Sequence, residues 1–273
     1  MLKQIKASLN RKIARRVTKE YPVEIETFET KDFGYVQFAN WQNPLVQPKV
    51  IQQETLDFFK KYIKHGDLVI DIGANIGLMA VHLGLLCKRE GLCLAFDPNP
   101  FVFKILSENA SLNPDKTNIK AFNFAISESD ADFYYHSSEA SFNNGGISKE
   151  QNSKHGKFEL GEKIKGIVLA DFLHANFQEY LPKLSLIKID TEGYDKEIIK
   201  SITNLLQMHM PVVITECFGK NTATERYEQY NLLKSLGYKL YYFKDFVADT
   251  EMIEITKQED MFLVKHFDLI ALP

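Results

Sequence analysis

From residue 68 onward the sequence predicts a doubly wound α/β domain on a mostly parallel sheet of seven strands. Two observations carry that prediction. Short, nearly all-apolar runs such as Leu68-Val69-Ile70 and Leu92-Cys93-Leu94 recur between helical patterns, as strands buried on both faces require. The first run passes into Asp71-Ile72-Gly73-Ala74-Asn75-Ile76-Gly77, where a strand turns through glycines into a helix.

The elements follow in order. Residues 1–50 form an amino-terminal helical extension and lead-in ahead of the domain at 51–273. Lys3, Lys6, Arg11, Lys12, Arg15, Arg16 and Lys19 face one acid, Glu20, while Leu2, Ile5, Leu9, Ile13 and Val17 recur along one helical face. Two readings of this helix stand. It docks on its own domain or a neighbouring subunit, or residues 1–19 make peripheral contact with an anionic membrane. Residues 21–50 read as irregular or β-like, with 35–38 as a short strand and breaks at Pro44 and Pro48. A helix is predicted over 51–64, stopped by Gly66. Strands are predicted at 68–72, 92–96, 121–126, 184–189 and 211–215, with helices at 76–88 and 100–109. Segments 239–243 and 261–265, joined through a polar stretch at 251–260, are predicted to form an antiparallel hairpin at the sheet edge. Residues 128–165, after the third strand, are polar, with Asn143-Asn144-Gly145-Gly146 at their centre. They read as a long loop over the mouth of the site, facing the substrate.

Composition narrows the class. The chain has 273 residues, 45% of them hydrophobic, enough for a substantial core, and its net charge of −3 shows no global basic bias, so a nucleic-acid partner is not expected. Cys87, Cys93 and Cys217 form no CxxC pair and are odd in number, which fits reduced thiols better than a zinc site or a disulfide framework. No apolar run reaches the ~18 residues needed to span a bilayer, and no secretory leader is evident. A cytoplasmic protein is expected, membrane-peripheral if its first helix lies on a bilayer. Oligomeric state stays open.

Ligands of open α/β sheets bind beyond the carboxyl ends of the strands, where strand order reverses. Asp71 ends the first strand, and Gly73, Ala74, Asn75 and Gly77 form the turn, where glycine permits close backbone approach and the next helix start offers N–H groups to a carboxylate. The second strand ends in Asp97-Pro98-Asn99-Pro100, which places an acid to accept hydrogen bonds from ribose hydroxyls. Ala125 and Ser127, after the third strand, are placed to flank an adenine. The Gly73–Gly77 spacing is not the GxGxxG of dinucleotide binders, and Asp71 is positioned to meet an ammonium. Both point to S-adenosylmethionine.

Asp71–Gly77, Asp97–Pro100 and Leu186-Ile187-Lys188-Ile189-Asp190-Thr191-Glu192-Gly193, with Glu216 after the fifth strand, resemble the FkbM family of methyltransferases. The resemblance runs over about 53–218. Asp97 and Asp195 depart from it mildly, each standing where Glu is usual. The resemblance implies a class I, Rossmann-like methyltransferase that uses S-adenosylmethionine, releases S-adenosylhomocysteine, and methylates a hydroxyl of a sugar, glycan or natural product.

Methyl transfer from a sulfonium is an in-line displacement, so much of the task is positioning. A hydroxyl is a poor nucleophile at neutral pH and needs a base or a metal. The reservoir is Lys188, Asp190, Glu192 and Asp195, with Glu216 on the neighbouring strand. Asp190 is read as base or acceptor anchor, Glu192 as orienting substrate and Lys188 as pairing a carboxylate. A divalent cation on Asp190, Glu192 and Glu216 is an alternative, although the spacing matches no metal motif, and no metal ligand is assigned. A self-contained ion-pair network would account for Glu192 and Asp195, but a lysine inside an apolar strand needs a partner. His82 reads as packing; His136 and His155 lie in or near the insertion, and Trp41, Tyr134 and Tyr135 either stack on a sugar or pack. Three other functions stay open: a nucleic-acid or protein methyltransferase, a non-catalytic cofactor-binding module, and a nicotinamide-dependent oxidoreductase.

Overall fold

The computed structural model describes residues 2–151 and 156–273. α1 (Leu2–Ala14) leads into a hairpin of β1 (Val23–Thr30) and β2 (Gly34–Trp41), paired antiparallel from Val23↔Trp41 to Thr30↔Gly34. The lead-in is therefore more regular than the sequence suggests. β1 is exposed at most positions, and its apolar alternation covers only Val23–Glu26 before breaking at Thr27-Phe28.

After α2 (Gln53–Phe59), strands and helices alternate: β3 (Leu68–Ile72), α3 (Leu78–Cys87), β4 (Leu92–Phe96), α4 (Pro100–Ser111) and β5 (Ile119–Phe122). A second run follows the insertion: α5 (Leu169–Asn176), β11 (Leu184–Ile189), α6 (Asp195–Ser201), α7 (Thr203–His209), β12 (Val212–Cys217), α8 (Ala223–Ser235), β13 (Lys239–Phe243), β14 (Met252–Ile255) and β15 (Phe267–Leu272). The main sheet has eight strands in the order β14-β13-β15-β12-β11-β3-β4-β5. The five strands from β12 to β5 are mutually parallel, while β15 is antiparallel to both β12 and β13. Every position of β3, β4 and β12 is buried. One face packs on α2, α3 and α4 through residues such as Phe59, Leu83 and Leu106; the other packs on α5–α8 through Leu173, Ile198 and Leu233.

The structure corrects several strand boundaries. The eighth strand is β14, which lies inside the polar stretch read as a connection. The final strand runs over Phe267–Leu272, and residues 261–265 instead fall in a 3-10 turn (Gln258–Phe262) and the loop after it. That loop is held from outside. The buried Arg226 guanidinium donates to the carbonyls of Met261, Val264, Lys265 and Phe218, which ties the start of β15 to the end of β12. The predicted strand at 121–126 divides. Ile119–Phe122 joins the main sheet, and Ala125–Ile126 (β6) opens a second one.

The insertion is that second sheet, not an irregular loop. β7 (Ala131–Ser137), β8 (Gly146–Ser148), β9 (Phe158–Glu159) and β10 (Ile164–Ile167) join β6 in the order β6-β10-β7-β8, with β9 also on β7. It has its own core of Phe133, Tyr135, Phe142 and Ile164, which is what lets a polar segment fold.

Candidate active site

β4 and β5 extend the sheet on one side of β3, and β11 and β12 on the other, so strand order reverses between β3 and β11. A crevice of about 290 Å³ opens there, beyond the strands' carboxyl ends.

Its floor is the turn after β3. Gly73 has φ +79°, and a Cβ there would lie 1.9 Å from the Asp190 carbonyl oxygen. Only glycine lets the ends of β3 and β11 pass this closely. The Asn75 N–H donates to Asp97 Oδ2 and the Asn99 N–H to Asp97 Oδ1, both at 2.9 Å. Asp97 lines the crevice yet is only 8% exposed, and burial pushes its carboxyl up to about 7 against those two donors. Val102, Phe124, Ile126 and Ile147 form an apolar wall.

Asn99 joins two parts of the rim. It caps α4 by accepting from the Phe101 N–H at 3.1 Å, with Pro100 in the first helical turn. Its amide nitrogen donates to the Phe142 carbonyl at 2.6 Å and to the Tyr135 hydroxyl at 3.2 Å. The insertion wall, Tyr135 and residues 143–147, is thus fastened to the turn that carries Asp97. Among the described residues, five non-glycine positions have left-handed backbone. Asn75 and Glu192 line the crevice, and Phe142 adjoins its wall. Such conformations gather at functional sites.

The sequence-predicted cofactor residues separate into two groups. Gly73, Asn75, Asp97, Pro98, Asn99 and Ala125 line the crevice. Asp71, Ala74, Gly77 and Ser127 lie behind the lining. Asp71 is fully buried facing Lys188, and the Ser127 hydroxyl turns to the Ser129 carbonyl.

The charged residues form a connected cluster. Strand alternation puts Asp71, Lys188 and Glu216 on the α3 face of the sheet at its carboxyl edge, with Asp268 opposite Glu216 on β15. Lys188 Nζ lies 2.9 Å from Asp190 Oδ2 and 3.9 Å from Asp71 Oδ1. Burial disfavours the charge on Lys188, but Asp190 and Asp71 more than offset this and raise its pKa. Burial pushes Asp71 up to about 6, and Lys188 only partly opposes it. Asp190 and Glu192 reach the crevice, whereas Lys188 and Glu216 stand behind it. Burial, then Asp190, raises the Glu192 pKa. Asp195 is not a free acid. It accepts from the Thr191 N–H and hydroxyl, the Thr215 hydroxyl and the Glu216 N–H, which clamps the ends of β11 and β12 together.

Two members escape sequence reading, His266 and Asp268. Misplacing β15 hid both. Gly219 N–H donates to His266 Nδ1 at 3.3 Å, so the proton sits on Nε2, 2.8 Å from Glu216 Oε1. Glu216 Oε2 is buried without a hydrogen-bond partner among the described residues; burial, then Asp190, pushes this carboxyl up to about 8. Asp268 is pushed by burial to about 6.

His82 is a core residue whose ring bonds the Leu78 carbonyl and accepts from the Gln52 N–H, and burial lowers its pKa to about 4. His136 and Trp41 are buried outside the crevice, Tyr134 is half-buried, and His155 lies outside the described residues. No group of three or more His, Cys, Asp or Glu among the described residues is arranged to hold a metal ion.

These residues fit a nucleoside cofactor. A buried carboxylate with remaining lone pairs faces the crevice opposite an apolar wall, which suits ribose hydroxyls and a purine. Fold and site together are those expected of a class I, S-adenosylmethionine-dependent methyltransferase. The model of the methyltransferase FkbM domain matches residues 71–240, and the chain belongs to that family. It is similar to the hexuronic acid methyltransferase AglP of Haloferax volcanii, 26% identical over 156 residues that cover 57% of this chain and 58% of that protein. The chain thus spans little more than half the length of that relative. It is also similar to the methyltransferase sdnD of Sordaria araneosa, 28% identical over 203 residues, covering 65% of this chain and 75% of that one. A solved methyltransferase FkbM from Methylobacillus flagellatus KT superposes with a TM-score of 0.45 at 10% identity, covering 79% of this chain and 50% of that one.

Proposed function

We propose that the chain transfers a methyl group to a hydroxyl of a sugar, glycan or related small molecule, with Asp190 taking the proton. The observation that carries this reading is the carboxylate excess at the crevice: Asp190 and Glu192 line it, and one buried lysine, Lys188, offsets the charge behind them. When bound, S-adenosylmethionine supplies an electrophilic methyl on a sulfonium. Lys188 orients Asp190, whose side chain is 39% exposed and so open to an acceptor. An acceptor hydroxyl donating to Asp190 gains nucleophilicity and leaves its proton on that carboxylate. In this reading Glu192, which also lines the crevice, holds a second hydroxyl of the same acceptor. The hexuronic acid named for the Haloferax relative supports a carbohydrate acceptor.

The test incubates the protein with S-adenosylmethionine and a panel of free sugars, nucleotide sugars and glycans, reading S-adenosylhomocysteine release and the methylated product by mass spectrometry. A hydroxyl-methylated sugar supports the reading. Methylation confined to nucleic acid or protein refutes it, as does cofactor binding with no turnover on any acceptor.

A further inference from the structure

α1 is tied to the rest of the chain through its last turn. Ala14 is buried, the Arg15 carbonyl accepts from the Ala140 N–H at 3.3 Å, and Arg15 Nε pairs with Glu139 at 3.5 Å. A little further on, Glu20 pairs with Lys104. The apolar stripe of the helix takes no part in these contacts. Ile5, Leu9, Ile13 and Val17 are 59%, 55%, 38% and 50% exposed. None of the four belongs to a hydrophobic cluster among the described residues, although all fall on the face that amphipathic spacing prepares for burial.

Charge indicates what covers it. Seven of the chain's 33 basic side chains fall within residues 1–19, with no acid among them, so the rest of the chain is more negative than the net −3. Lys6, Arg11, Lys12 and Arg16 are all exposed. A second copy is a poor occupant, because two such helices face to face would gather like charges with no acid to answer them. A surface that is apolar within and anionic outside matches both properties of the helix. We propose that α1 binds the surface of a membrane rich in anionic lipid, with Ile5, Leu9, Ile13 and Val17 in the boundary between headgroups and acyl chains, and Lys6, Arg11, Lys12 and Arg16 among the phosphates. The acidic remainder of the chain is repelled by the same surface, so attraction is confined to this helix and orients the molecule. Its anchor at Glu139 and Ala140 lies just ahead of the Phe142–Gly146 segment, which borders and lines the crevice. The docked helix therefore holds the insertion side of the rim close to the bilayer.

The test is co-sedimentation of the full chain with phosphatidylcholine vesicles, with and without phosphatidylglycerol, and light scattering in their absence. Partition is expected only onto the phosphatidylglycerol vesicles, with release at high salt. Each basic residue near such a surface contributes roughly fivefold in affinity, so Lys6→Gln/Arg11→Gln/Lys12→Gln together should lower partition by roughly 100-fold. Leu9→Glu should abolish it while leaving the melting temperature unchanged, because that side chain is 55% exposed and belongs to none of the hydrophobic clusters among the described residues. The proposal is overturned by equal partition onto both vesicle types, by no partition at all, or by partition that survives Leu9→Glu. It is also overturned by a dimer that Leu9→Glu dissolves in a protein that ignores vesicles, which would make the stripe a subunit contact.

Discussion

Replacing Asp97 by alanine separates the role the structure gives this carboxylate, accepting two backbone N–H groups, from the ribose contact expected of it. The Asn75 and Asn99 N–H groups, each 2.9 Å from it, lose their acceptor. A buried donor left unpaired costs about 1–3 kcal/mol, and crevice water replaces part of that, so a total of about 2–4 kcal/mol is expected. For a chain of this size that corresponds to a fall of roughly 5–15 °C in melting temperature. The ribose contact should cost about 1.5–3 kcal/mol more in binding, a weakening of roughly 10- to 150-fold for S-adenosylhomocysteine. The pH dependence checks the same group without mutation. With its pKa pushed up to about 7, Asp97 is mostly ionised at pH 8 and mostly protonated at pH 6. Only the ionised form accepts from both hydroxyls fully, so wild-type affinity should fall by roughly tenfold from pH 8 to pH 6. The stability contribution runs the other way. A carboxyl raised from 3.8 holds its proton more tightly in the folded state, so its contribution is fully present below 3.8 and declines as pH rises through about 7. Calorimetric titration at both pH values, with thermal melts alongside, measures all of this. Unchanged affinity in a folded Asp97→Ala protein would refute the ribose assignment.

Other outcomes follow from the same geometry. Asp190→Asn should lower turnover at least ~100-fold in single-turnover assays while cofactor affinity holds, because Asp71 remains 3.9 Å from Lys188 to balance it; near-normal turnover would move the base to Glu192 or Glu216. Gly73→Ala should destabilise the fold by more than ~3 kcal/mol in urea unfolding, since its methyl meets the Asp190 carbonyl in a left-handed turn; a variant as stable as wild type would show that the two strand ends can part. Glu216 has its carboxyl raised from 4.5 to about 8, so wild-type stability should decline across that window as the proton is lost. Glu216→Gln should flatten that decline in melts taken from pH 5 to pH 9, and an unchanged slope would count against a protonated Glu216 at neutral pH.

Much of the architecture was legible because the parallel strands are buried on both faces. Their runs at 68–72, 92–96 and 184–189 are almost unbroken apolar sequence, and the charges that interrupt them, Asp71 and Lys188, lie in or next to the site. The less legible parts depend on distant partners. Met261-Phe262-Leu263-Val264 is as apolar as the strand that follows it, and what keeps it out of the sheet is Arg226 on α8, some thirty-five residues earlier. Misplacing that strand hid His266 and Asp268, because Asp268 faces Glu216 across the ladder and His266, just ahead of the strand, pairs with the same carboxylate. The insertion looked irregular because its apolar residues are few. They suffice because Phe133, Tyr135, Phe142 and Ile164 cluster together, with Phe101 of α4 stacked on Phe142. Asp71 was assigned to the crevice from its position in the chain, whereas strand alternation turns it inward to Lys188.

The Arg226 clamp has a consequence for how this fold can diversify. It grips main-chain carbonyls and lies over the Phe262 ring, so the side chains of Leu263 and Val264 take no part in the hold. Leu263 and Val264, 54% and 36% exposed, are neither ladder partners nor core residues, and they precede His266, which pairs with Glu216. Here the chain is free to drift in composition while its course is held, as in a binding loop displayed on a rigid frame. A library randomised at 263 and 264 should therefore keep its folded fraction across most substitutions, because the hold on this loop leaves both side chains free.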